Sequence, residues 1–125
     1  MKAEVAARAG DKAAVLTKAV LRTAELLQIQ QRELAEILGV SPPTITRLMG
    51  GEKKLSEGRS EYQLGALFVR VFRSLDTLVG GDAEKARQWL RAPNSHLNGV
   101  PIELAKTVRG LVNVADYLDA MRGAG

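Results

Sequence analysis

The sequence predicts an all-α protein, and three observations lead there. Segments between glycine and proline turn points carry apolar residues at three- and four-residue spacing rather than in alternation. Helix-start signals stand at the segment boundaries, at Ser60 with Gln63, at Asp82 and at Pro101. A glycine at position 39 follows one short apolar stripe and precedes another, as a sharp turn between two helices requires.

The first long segment places Leu16, Ala19, Val20, Ala24 and Leu27 on one stripe of a helix. Residues 31–50, QRELAEILGVSPPTITRLMG, then fill every position of a helix-turn-helix. Leu34, Ala35 and Leu38 share a face of the first short helix, Val40 plugs the corner, and Ile45 and Leu48 share a face of the second. Ala35 is small where two steeply crossing helices approach most closely, and Gly39 supplies a left-handed turn that a side chain resists. The competing reading is a plain helical hairpin. Gln30 stands where Ser or Thr would complete a capping box with Glu33.

Ser60 and Gln63 match an S-x-x-Q capping box for the next helix, whose stripe is Leu64, Leu67, Phe68, Val71, Phe72 and Leu75. Gly80-Gly81 ends it, Asp82 caps a short helix with Ala86, Trp89 and Leu90 on its apolar side, and a loop carries Pro93, Asn94, Asn98 and Gly99. From Pro101 a single final helix is expected, with Leu104, Ala105, Val108, Leu111, Val112, Ala115 and Leu118 as its stripe. The last five residues, Met121 to Gly125, read as a short flexible cationic tail.

Composition narrows the chemistry. The 125 residues are 46% apolar and 26% charged, an ordinary soluble balance, and no run reaches the ~18 apolar residues of a membrane span. Residues 1–12 lack an apolar leader core, so a cytoplasmic location is expected. With no cysteine and one histidine, disulfides, thiolate zinc sites, a metal centre and a Ser/His/Asp set are disfavoured; no cofactor and no enzymatic activity are expected. Residues 1–59 hold ten Lys or Arg against seven Asp or Glu, residues 60–125 eight against seven. The basic lean of the first part suits a polyanion, and equally a solvated surface.

In a helix-turn-helix the second helix enters the major groove, here starting at Ser41 with Pro42 and Pro43 in its first turn. Outward candidates for DNA contact are Ser41, Pro43, Thr44, Thr46 and Arg47. Arg47 is placed to pair with guanine or, as readily, with a phosphate. Gln31, Lys53 and Lys54 are candidates for backbone contact.

Two stretches together resemble the MbcA/ParS/Xre antitoxin family: Gln31 to Gly51, and DAEKARQWLRAPNSHLNGVPIELAKTVRGLVNVADYL from Asp82 to Leu118. The second carries an A-x-x-W-L helix (Ala86, Trp89, Leu90), a loop with Pro93, Leu97 and Gly99, a second proline at 101, and T-x-x-G at Thr107 and Gly110. The resemblance implies an Xre-like helix-turn-helix bundle over 1–59 followed by a small helical toxin-binding domain over 60–125. It implies an antitoxin of a type II system that neutralises a NAD-consuming RES-domain toxin and represses its own operon on operator DNA, NAD belonging to the toxin. A homodimer and a toxin-antitoxin hetero-oligomer are also implied. Candidates for the toxin face are Trp89, His96, Leu97, Arg109, Tyr117 and Arg122. Trp89 also reads as core, His96 as a surface hydrogen-bonding residue, and Gly110 as a site of close backbone packing. The alternative is a stand-alone helix-turn-helix regulator with a carboxyl-terminal dimerisation domain.

Overall fold

The computed structural model describes the backbone of residues 2–124 and the side chains of residues 12–123. Among these residues it contains seven helices and no strand: α1 (Lys2–Leu26), α2 (Gln31–Leu38), α3 (Pro42–Met49), α4 (Ser60–Leu78), α5 (Ala83–Arg91), α6 (Pro101–Leu104) and α7 (Val108–Ala124). Among the described residues no helix is long and apolar enough to cross a membrane.

α4 is the centre of the molecule. It packs most extensively on α7 and next on α1, and also touches α2 and α5. Its buried residues therefore lie on more than one face: Phe68, Val71 and Leu75 belong to the expected stripe, while Gly65, Val69 and Ser74 are buried besides. Gly65 permits the closest approach, since a Cβ there would stand 3.1 Å from Leu55 and 3.2 Å from Val20. The result is one continuous core running from Val20 and Leu27 of the first part, through Leu38, Ile45 and Leu75, to Leu111 and Leu118 of α7. Each such side chain contributes roughly 1.5–3 kcal/mol by burial.

Polar contacts fix how α7 lies on α4. The Asp119 carboxylate accepts hydrogen bonds from the Ser74 hydroxyl at 2.6 Å and from Arg70 Nε at 2.6 Å. The Ser74 bond, then the Arg70 bond, holds the Asp119 carboxyl below its ordinary value.

The structure corrects three sequence expectations. The cap of α4 is Arg59, not Ser60, and no side-chain capping bond is made there; Arg59 instead pairs with Glu61 at 3.2 Å. The single final helix is two helices. α6 ends at Leu104, and Thr107 opens α7 by accepting the Gly110 N–H at 3.0 Å on its hydroxyl oxygen. The third concerns the carboxyl end: α7 continues through Ala124, so Met121, Arg122 and Gly123 are helical rather than a free tail, while Gly125 lies outside the described residues.

The α6–α7 break explains Gly110. A Cβ at this position would overlap the Leu104 carbonyl oxygen and stand 2.7 Å from the Leu104 carbonyl carbon, so the end of α6 rests directly on the first turn of α7. Because the obstacle is backbone, it has little freedom to yield. Gly110→Ala is expected to destabilise the fold by about 3 kcal/mol despite the better helix propensity of alanine, measured by urea unfolding.

Candidate functional site

The helix-turn-helix forms as its sequence pattern requires. Leu34, Ala35, Ile37 and Leu38 of α2 and Ile45 and Leu48 of α3 are buried. Gly39 adopts φ +69 in the left-handed region, and the Val40 N–H returns to the Ala35 carbonyl at 3.0 Å to close the corner. Ser41 caps α3: its hydroxyl oxygen accepts the Thr44 N–H at 3.3 Å and shares a 2.9 Å hydrogen bond with the Thr44 hydroxyl. Pro42 and Pro43 occupy the first turn, where a missing N–H costs nothing.

This geometry sorts the sequence-predicted DNA residues. Pro43, Thr46 and Arg47 are exposed on α3. Ser41 is exposed, but its hydroxyl and that of the half-buried Thr44 are engaged with each other. Gln31 is exposed at the start of α2. Lys53 and Lys54 follow α3 in a loop that is pinned to α1, because the Leu55 N–H donates to Thr17 Oγ1 at 2.9 Å while that hydroxyl donates to the Ala13 carbonyl at 2.6 Å. Leu55 is itself fully buried. The pinning brings Lys53 and Lys54 to a shallow depression shared with Lys18 of α1. Sequence reasoning missed Lys18, since its only signal is a lysine on the polar face of a helix far away in the chain.

A second missed feature ties α5 to the same unit. Glu33, in the first turn of α2, is buried, and Arg91 of α5 grips both its oxygens, at 2.7 Å and 2.8 Å. The same carboxylate accepts the Gln30 N–H at 3.1 Å, so the glutamate arm of the capping box is made without a Ser or Thr cap. Arg87 donates to the Leu26 carbonyl at 3.0 Å at the end of α1. Lys106, beyond α6, bridges Glu103 at 3.0 Å and Glu36 of α2 at 3.5 Å.

On the other side of α5, Trp89 is half-buried and its ring centroid stands 6.3 Å from that of Tyr117 on α7. The His96 ring lies 5.8 Å from Tyr117. The 94–99 loop is closed by reciprocal backbone bonds between Asn94 and Gly99, of 2.9 Å and 3.2 Å. The Asn94 side-chain oxygen accepts the His96 and Leu97 N–H groups, which holds His96 over Tyr117. Trp89, His96 and Tyr117 are thus brought together, with the half-buried Leu97 in the same loop. Arg109 is exposed in the first turn of α7. Arg122 lies apart, lining a groove with residues of α1 and α4. Among the described residues no group of His, Cys, Asp or Glu is arranged to hold a metal ion.

Residues 6–70 match the family model for the antitoxin Xre-like helix-turn-helix domain, and residues 74–124 match that for the antitoxin Xre/MbcA/ParS C-terminal toxin-binding domain. The two matches meet within α4. No curated protein matches the chain.

The hydrogen bonds from Arg91 lower the Glu33 carboxyl from 4.5 to about 2, against the opposing effect of burial. A depressed carboxyl stabilises the fold above its unfolded value, and that stability is lost as pH falls from about 4.5 towards about 2. The full shift corresponds to roughly 3 kcal/mol, and screening at the half-exposed Arg91 reduces it to about 1–2 kcal/mol. Urea unfolding should therefore show the native chain losing about that much more stability than Glu33→Gln between pH 5 and pH 2.

Proposed function

The chain belongs to the Xre/MbcA/ParS antitoxins, and from that premise we propose that it binds and neutralises a RES-domain, NAD-consuming toxin and represses its own operon by binding DNA. The observation that carries the reading is the pairing of a complete helix-turn-helix corner, its α3 exposing Arg47, with a toxin-binding domain on one shared core. On this reading residues 1–59 serve DNA and residues 60–125 serve the toxin. The protein works in the cytoplasm as a binding protein, not an enzyme.

On the DNA side, α3 enters the major groove with Arg47 towards base edges, while Gln31, Lys53, Lys54 and Lys18 meet phosphates. Pro43 and Thr46 supply contact surface rather than charge. A helix-turn-helix monomer covers one half-site, so operator binding is by a homodimer with recognition helices roughly 34 Å apart. On the toxin side, the half-buried Trp89, Tyr117 and Leu97 with the exposed His96 form an aromatic cluster of the kind that anchors protein interfaces. Arg109, exposed in the first turn of α7, and Arg122, apart from the cluster near the other end of that helix, meet acidic groups of the toxin. The toxin-antitoxin complex is a hetero-oligomer built on the antitoxin dimer.

Two outcomes test the two faces. In an operator-fragment shift assay, Arg47→Ala should lose about 1–3 kcal/mol of discrimination between operator and random DNA, while Lys53→Ala should weaken both and reduce the salt dependence. Equal discrimination by Arg47→Ala removes the base-reading role. In co-purification with the toxin encoded by the adjacent reading frame, Tyr117→Ala should weaken capture about tenfold or more with DNA binding intact. Full capture by Tyr117→Ala, in a chain whose thermal unfolding is unchanged, would move the toxin face elsewhere.

A further inference from the structure

The groove that Arg122 lines lies apart from both α3 and the aromatic cluster. It has a volume of about 730 Å³ and runs between α1 and α4, reaching the end of α7. Its lining is apolar at Val15, Ala66 and Val69, and Val15 is 68% exposed. Lys12 of α1, Arg73 of α4 and Arg122 of α7 stand around it. Among the described residues lining the groove there is no carboxylate. Arg70, also at the edge, is already committed to Asp119 and Asp116 of α7.

We propose that this groove docks an acidic amphipathic helix of the toxin. The proposal rests on the antitoxin reading and adds to it a surface, a partner chemistry and a binding mode. Two neighbouring helices leave a trough that a third helix fills by ridge-into-groove packing, its apolar stripe on the floor. Val15 lies one turn beyond Lys12 on α1, and Arg73 one turn beyond Val69 on α4, so each wall presents an apolar residue with a cation beside it. A helix with an apolar stripe flanked by Asp or Glu satisfies both at once. A second copy of the chain docking the same face against itself would bring three cations against three, with no carboxylate among the described residues lining the groove, so charge complementarity favours a partner of opposite sign.

The test uses the full chain with the purified toxin of the adjacent reading frame, by titration calorimetry at two salt concentrations. Two variants report independently: Arg73→Glu combined with Lys12→Glu reverses the rim, and Ala66→Trp fills the floor without changing charge. All these positions are exposed or half-exposed, and thermal unfolding with operator binding checks the fold. Both variants should weaken toxin binding at least tenfold, and the charge reversal should also flatten its salt dependence. Undiminished toxin affinity in both variants overturns the groove and leaves the antitoxin reading standing. Loss of a homodimer with toxin affinity intact gives the groove to a second copy and overturns the proposal. A native chain that binds no toxin overturns both this proposal and the reading beneath it.

Discussion

The grip of Arg91 on Glu33 decides how the two family domains sit together. A carboxylate buried in the first turn of α2 would be costly alone, and its desolvation is met by two guanidinium N–H groups and one backbone N–H. Replacing such a pair by well-packed apolar residues is often neutral for stability, so net energy is a weak reason for it. Geometry is a stronger one. A planar fork meeting a carboxylate edge-on accepts a narrow range of positions, and α5 is therefore held at one place against the end of α1 and the start of α2. Arg87 on the Leu26 carbonyl and Lys106 between Glu103 and Glu36 add two further fixed points.

The core gives the same answer from the apolar side. α4 buries residues against α1 and α2 on one hand and α7 on the other, and the family models for the two domains meet inside it. Removing either half would expose one face of α4 and leave Phe68, Val71 or Leu75 without its neighbours. Two functions thus share one folding unit, as surface-to-volume scaling favours in a chain of 125 residues. The exposed residues of α3 and the aromatic cluster lie on surfaces around one continuous core rather than on beads joined by a linker.

What the sequence made legible, and what it hid, follows from the range of each interaction. The helix-turn-helix corner was readable because its constraints fall within twenty residues: small Ala35, left-handed Gly39, capping Ser41. The Asp82 cap was readable for the same reason. Apolar periodicity failed at residues 101–118, where the three- and four-residue spacing continues through a break made by backbone contact between Leu104 and Gly110. The T-x-x-G motif marked that break, with Thr107 as the cap, but its role became visible only with the start of α7 in place. Ser60 carried a capping pattern and lost the role to Arg59. Lys18 and the Arg91–Glu33 pair were hidden because their partners lie 35 or more positions away, beyond any local pattern.

The charge balance shows the same limit in another form. Counted along the chain, the second part is nearly neutral and the first modestly basic, a weak hint of a polyanionic partner. In the structure the cations of the second part divide by task. Arg70, Arg87, Arg91 and Lys106 are engaged with carboxylates or carbonyls of the chain itself and serve packing. Around α3, Arg47, Lys53 and Lys54 are exposed with no such engagement among the described residues, and Lys18 joins them across the pinned loop. Arg91 and Lys106 of the second part neutralise Glu33 and Glu36 of the first, so the helix-turn-helix carries fewer uncompensated acids than the count along the chain suggests. A partner's charge is better inferred from unpaired cations sharing a surface than from their total.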